Sequence, residues 1–373
     1  MRTYRDDWEN AHVVYYTLAC LVLLCTTLNG IDAAERDKFR TCAQSGFCTR
    51  QRAYTDLVLD RDNSTELFHQ HFRSYQIIAD TIHVDEPSGL FQATLRSRIY
   101  ENSTVKWRLR LQALEDATMR VQLDEATPYR TRHRPDHALY KDPKGAPIFA
   151  SEITSDRVLL TVDEDEQFKI SVTLIPFSIK TLRNGKANLV LNDRQFLNIE
   201  HTRPRGRIAD DDVATPPAVI PGELPDNATE LEASQKDDAL VSRDSLLEKM
   251  YHQEWTEPFG QWIDSKPNGP TSLGVDIGFI NTEHLYGLAE HASKHLLQST
   301  RGAHKAHGYD DPYRLFNTDI FQYELENPMS LYGAVPYVIG VDSDGKASGV
   351  FWYNTAETWV DVEISSNVNV FSF

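Results

Sequence analysis

A period of two is the strongest constraint this chain places on its fold. Val105, Trp107, Leu109 and Leu111 are apolar and alternate with Lys106, Arg108 and Arg110. Successive strand side chains point to opposite faces, so this segment predicts a sheet with one buried and one wet face. Ile77-Ile78, Leu95 to Ile99, Val121 to Leu123, Val158 to Val162 and Phe168 to Leu174 behave similarly, and the stretch from Tyr54 to about Ile199 reads as strands. Turn residues separate them at Glu86-Pro-Ser-Gly89, Asp142-Pro-Lys-Gly145 and Arg183-Asn-Gly-Lys186, the last a hairpin signal. No long amphipathic helix is expected. The pattern predicts an all-β chain, a large antiparallel β-sandwich.

The pattern divides the chain. Residues 35–201 are expected to form the first part of the sandwich. Residues 202–244, rich in Pro, Asp, Glu, Ala and Thr with almost no aromatic side chains, cannot bury enough surface to offset ordering entropy. They read as a disordered insertion, with a docking arm for a partner as the alternative. Residues 245–373 are expected to form the second part. There Val341-Asp-Ser-Asp-Gly345 reads as a hairpin turn; Lys346 stands where a calcium loop would need an oxygen ligand.

Residues 1–34 read as a signal peptide. Val13 to Leu28 is an uncharged apolar run, short for a membrane span, followed by the small residues Gly30, Ala33 and Ala34. A retained anchor and a buried helix are the other readings. Cys20 and Cys25 lie within the run, which leaves Cys42 and Cys48 as a pair. In an oxidising compartment a short disulfide loop is expected there, because no further metal ligands lie at suitable spacing. Asn63, Asn102 and Asn227 begin Asn-X-Ser/Thr triplets and become candidate glycan acceptors behind a signal sequence.

The net charge of −17 disfavours a phosphate-rich partner, and nucleic-acid binding is not expected. No phosphate-cradling glycine loop and no Gly-x-Ser-x-Gly elbow occurs. His284, His291 and His295 have a spacing that would place them on one face of a helix. They lack the HExxH arrangement, so partly exposed histidines on a short helix are expected rather than a metal site. No metal and no cofactor is expected.

More specific information lies in ordered blocks. They are Thr41-Cys-Ala-Gln-Ser-Gly-Phe-Cys48-Thr-Arg-Gln-Arg52, Arg120-Val-Gln-Leu-Asp-Glu125 with Arg134-Pro-Asp136, and Ser265-Lys-Pro-Asn-Gly-Pro-Thr-Ser-Leu-Gly274. Glu283-His-Leu-Tyr-Gly-Leu-Ala-Glu-His-Ala292 and Pro312-Tyr-Arg-Leu-Phe-Asn-Thr-Asp319 follow. The series closes with Tyr323-Glu-Leu-Glu-Asn-Pro-Met-Ser-Leu-Tyr-Gly-Ala-Val-Pro336 and Asn354-Thr-Ala-Glu-Thr-Trp-Val-Asp361. Together, from about Phe39 to Asp361, they resemble the N-terminal region of glycoside hydrolase family 31, and within it the endoplasmic-reticulum glucosidase II branch.

The resemblance implies a galactose-mutarotase-like β-sandwich that packs on a (β/α)8 barrel and lends one loop to the active site. It implies a retaining α-glucosidase that trims glucose from N-glycans in the endoplasmic-reticulum lumen, with a glucosylated oligosaccharide as substrate and a glucosidase II β subunit as partner. The lent loop matches Leu315-Phe-Asn-Thr-Asp319, so the resemblance carries substrate binding onto Asp319. A carboxylate can accept charge-assisted hydrogen bonds from two adjacent sugar hydroxyls. Without the resemblance, Asp319 reads as a turn residue or helix N-cap.

Retaining glycosidases need two carboxyl groups about 5–5.5 Å apart. The family supplies both from its barrel, the nucleophile within a Trp-x-Asp-Met-Asn-Glu type motif that this sequence lacks. Asp361 and Glu363 are not credible substitutes, since they share one short stretch. No catalytic residue is therefore assigned. The chain is expected to be the inactive front part of such an enzyme, with Val368, Val370, Phe371 and Phe373 marking an uncovered interface. The alternative is a standalone carbohydrate- or partner-binding sandwich.

Overall fold

The computed structural model describes residues 39–59, 75–97, 105–165, 167–201, 256–301, 311–320, 322–364 and 368–372. The expected leader, all three glycosylation triplets at Asn63, Asn102 and Asn227, and the acidic insertion lie outside these residues.

The chain enters through a 3-10 turn, Cys42–Gln44, and one α-helix, α1 (Gly46–Leu59). Here the sequence expectation fails, since Tyr54 to Leu59 is helical rather than extended. Thr49, Tyr54, Thr55 and Val58 have weak helix propensity, but tertiary contacts override it. The Arg50 guanidinium donates to both oxygens of buried Glu200 at 2.5 and 3.0 Å, and the Gln51 amide accepts from Asn198 Nδ2 and donates to the Ser272 hydroxyl.

Two antiparallel sheets follow. The first is a meander of β1 (Tyr75–Asp85), β2 (Leu90–Ser97), β3 (Lys106–Leu114) and β4 (Thr118–Glu125). The alternation of β3 is realised: Trp107, Leu109, Leu111 and Ala113 are buried while Lys106 and Arg108 are exposed. The turn before β2 requires glycine. Gly89 has φ of +69°, and a Cβ there would lie 1.8 Å from the Ala146 carbonyl oxygen.

The second sheet has nine strands. It begins with β5 (Ala150–Ile153), β6 (Arg157–Thr161), β7 (Phe168–Thr173), β8 (Ser178–Arg183) and β9 (Lys186–Leu191). The β8–β9 hairpin turns at Asn184 and Gly185, both with positive φ, as Asn-Gly turns require. β10 (Asn198–Ile199) pairs with β13 (Leu273–Gly274) beside it, and β11 (Thr256–Phe259) pairs with β12 (Trp262–Ser265) in a small hairpin. β14 (Asp276–Ile280) returns to pair with β9. β15 (Thr282–Gly287), β17 (Tyr337–Asp342) and β18 (Ala347–Phe351) form a three-stranded sheet, in which the expected Val341–Gly345 turn joins β17 to β18. β16 (Tyr313–Leu315) pairs with β19 (Thr358–Glu363), and β20 (Val368–Ser372) lies between β19 and β14.

Strands from before residue 202 and after residue 255 thus share one sheet. One apolar cluster joins both sheets, including Phe91, Leu95, Leu109 and Leu111 from the first and Val158, Ile170, Ile179 and Phe279 from the second. Side chains from two facing inner surfaces fill one core, as in a sandwich. Because β20 is hydrogen-bonded on both edges, it is an inner strand.

Two local expectations are corrected. His284 lies on β15, while His291 and His295 follow in irregular chain, so the three share no helix. Asp142-Pro-Lys-Gly145 does not join paired strands. It separates β4 from β5 and lies beside the end of β3, with Gly145 bridged to Leu114.

Candidate functional site

The loop carrying Asp319 leaves the end of β16. Tyr313 and Leu315 are buried in the core, which aims the intervening Arg314 the other way. Its Nε donates to Glu357 Oε1 at 2.8 Å, and its guanidinium lies over the rings of Trp359 (5.2 Å) and Phe316 (4.8 Å). Trp359 in turn packs on the Cys42–Cys48 disulfide. The Cys42 amide donates to the Asp311 carboxylate at 2.9 Å, just before β16. Burial pushes the Asp311 carboxyl up, opposed by that amide bond. The disulfide loop therefore holds the root of the Asp319 loop from two sides.

Beyond the root, the loop is tied to the segment 330–332. The Thr318 amide donates to the Leu331 carbonyl at 2.8 Å, and the Thr318 and Ser330 hydroxyls meet at 2.9 Å. The Tyr332 hydroxyl donates to the Ile320 carbonyl. Residues 318 and 320 are thus both anchored, and Asp319 stands between them, exposed and without a hydrogen-bond donor among the described residues. Among the described residues no helix follows it, so the turn or N-cap reading reduces to a loop residue whose carboxylate meets no described donor. Phe316, Tyr323 and Tyr332 are also exposed in this part of the chain.

Asp361 and Glu363 are occupied elsewhere. Asp361 accepts from Nε and Nη2 of Arg52, at 2.8 and 2.6 Å, and from the Thr300 hydroxyl at 2.8 Å. Glu363 accepts from both terminal nitrogens of Arg194, at 2.6 and 3.1 Å. The Arg194 bond holds the Glu363 carboxyl below its ordinary value. Carboxylates clamped by guanidinium groups in this way are structural ties rather than a nucleophile and an acid. Among the described residues no group of three His, Cys, Asp or Glu side chains is arranged to hold a metal. His291 packs its ring 4.9 Å from Tyr313, and burial lowers its pKa, so it is neutral near pH 7.

The anchors were not legible in the sequence. Ser330 and Tyr332 lie within the Tyr323–Pro336 block, but nothing in the spacing links them to Thr318 and Ile320 across about a dozen residues.

The model of the glycosyl hydrolase 31 N-terminal galactose mutarotase-like domain matches residues 108–361. The chain is 35% identical over 336 residues to neutral alpha-glucosidase AB of Mus musculus, covering 90% of this chain and 32% of that protein. It is 27% identical over 361 residues to glucosidase 2 subunit alpha of Schizosaccharomyces pombe, covering 95% and 35%. Among solved structures, a complex of the ER glucosidase II catalytic subunit with the binding domain of its regulatory subunit superposes with a TM-score of 0.68 at 28% identity, covering 90% of this chain and 34% of that one. A Glc1Man2-bound glucosidase II alpha subunit gives the same TM-score, identity and coverage. The chain spans about a third of the length of the relatives it matches.

Proposed function

The chain belongs to the glycosyl hydrolase 31 N-terminal galactose mutarotase-like family, and from that premise we propose that it is the substrate-positioning region of a retaining α-glucosidase acting on glucose-capped N-glycans. Asp319 is the residue that does the positioning. Its carboxylate, without a donor among the described residues and set between two anchored neighbours, is the observation that carries the reading. A carboxylate so held accepts hydrogen bonds from two adjacent sugar hydroxyls without paying the entropy of ordering a mobile loop.

The role read here for these residues is positioning, and no nucleophile or acid/base is assigned among them. The related complex of catalytic and regulatory subunits supports a regulatory β subunit as partner, and the Glc1Man2-bound relative supports a glucosylated oligomannose as ligand. The endoplasmic-reticulum lumen is the proposed location. It rests on the ER relatives and the Cys42–Cys48 disulfide, with 1–34 as the directing signal and Asn63, Asn102 and Asn227 as glycan acceptors. The sandwich halves are 35–201 and 245–373, with 202–244 inserted between them.

Incubation of the purified chain with an aryl α-glucoside tests the division of labour. No turnover is expected. Turnover abolished by conservative replacement of carboxylates within this chain would overturn it.

A further inference from the structure

The outer face of the first sheet carries a cationic patch that the sugar-positioning role does not use. On β3, Lys106 and Arg108 are exposed and Arg110 is half-buried, at three successive outward positions. Arg96 pairs across from Lys106 on β2, and Arg120 lies opposite Gln112 on β4. Five cations therefore share one sheet face of a chain whose net charge is −17.

Their local compensation is slight. Among the described residues Lys106, Arg108 and Arg110 have no carboxylate partner. Among the described residues Arg108 reaches only the Ala126 carbonyl at 3.5 Å, Arg96 meets the neutral Gln76 amide, and the buried Nε of Arg110 finds no acceptor. Arg120 faces the exposed Asp142 at 3.9 Å, and the carboxylates nearest the other four, Asp124 opposite Arg108 and Asp85 on β1, are already engaged. Asp124 accepts from Arg134 at 2.7 Å and from Gln122 at 2.6 Å, and Asp85 accepts from Ser88 at 2.7 Å.

We propose that this face binds an acidic polypeptide segment in extended conformation. Alternate residues of a strand repeat every ~6.7 Å, so the three β3 cations form a row with that spacing. An extended chain with acidic residues at alternate positions presents carboxylates at the same repeat, and each can meet a lysine or guanidinium. The patch is only about three strands wide, ~10 Å at ordinary strand spacing. Beyond it the acidic remainder of the molecule repels a long polyanion, which favours a short acidic segment over nucleic acid. The pairing is side-chain mediated, because β3 is hydrogen-bonded on both edges.

Fluorescence anisotropy with a labelled hexaglutamate peptide and the full chain tests this, with hexalysine and a short RNA oligonucleotide as alternatives. Saturable hexaglutamate binding is expected, weakened by raising salt from 0.05 to 0.3 M, because the Debye length shrinks from roughly 14 to 6 Å. Lys106→Glu combined with Arg108→Glu should weaken it by about tenfold or more, with an unchanged thermal midpoint because both side chains are exposed. Arg110→Gln serves as a second variant that adds no negative charge, and it should weaken binding more mildly. Absence of hexaglutamate binding, binding unchanged in the well-folded charge-reversed protein, or preference for the RNA would each overturn the proposal.

Discussion

Arg52 on α1 grips Asp361 on β19 through two hydrogen bonds of 2.8 and 2.6 Å, joining residues 309 positions apart. The Asp361 side chain is only 8% exposed. Removing the guanidinium would leave a buried carboxylate with the Thr300 hydroxyl and a distant Arg301 as its remaining support. Arg52→Ala should therefore cost about 3 kcal/mol in urea unfolding, as breaking a buried pair does. A loss below about 1 kcal/mol, the ordinary worth of an exposed pair, would show that the tie is not structural.

Stability in acid should follow the carboxylates whose pKa values the fold lowers. In Glu363 the Arg194 hydrogen bond lowers the pKa from its ordinary 4.5, and burial only partly opposes it. In Glu257 burial acts upward, but hydrogen bonds from Lys266 and the Gly46 amide, with the charge of Arg40, outweigh it. A lowered folded-state pKa contributes stability above the unfolded value that is lost as pH falls through the folded value. The stability gap between the native chain and Glu363→Gln should be full at pH 7 and shrink as pH drops below 4.5. A gap that is constant from pH 7 to about 3 would contradict this assignment.

The two faces of β3 should respond differently to truncation. Leu109 is fully buried in the shared core and Lys106 faces solvent. Leu109→Ala is expected to cost about 3 kcal/mol through lost transfer energy and a cavity, and Lys106→Ala less than about 0.5. Equal effects in denaturant titrations would mean that the sheet is not half-buried as described.

The anchors of the Asp319 loop should act on sugar affinity more than on folding. Tyr332→Phe removes the donor to Ile320, and Ser330→Ala removes the partner of Thr318. Each deletes one exposed or half-buried hydrogen bond, so each should weaken glycan binding about three- to tenfold. Thermal midpoints should stay close to that of the native chain. Unchanged affinity in both variants would remove the anchoring role.

The sheet elements were legible because their cause is local. The alternation of β3 and the Asn184-Gly185 turn each need only neighbouring residues to be read. α1 was not legible, since Arg50, Gln51 and Arg52 are held by Glu200, Asn198 and Asp361, far away in sequence. The histidine spacing misled for the same reason. His284 is drawn into β15 by pairing with Val341 of β17, which overrides any helical period. Asp319 itself is read from resemblance, and the fold adds that among the described residues its neighbours, not the residue, make the contacts.

Isothermal titration of the chain with a monoglucosylated oligomannose, beside its deglucosylated counterpart, tests the positioning role of Asp319 most directly. The account predicts binding of the glucosylated glycan alone, and its loss in Asp319→Ala with no change in thermal midpoint. Equal binding by Asp319→Ala, or no binding by the native chain, would contradict it.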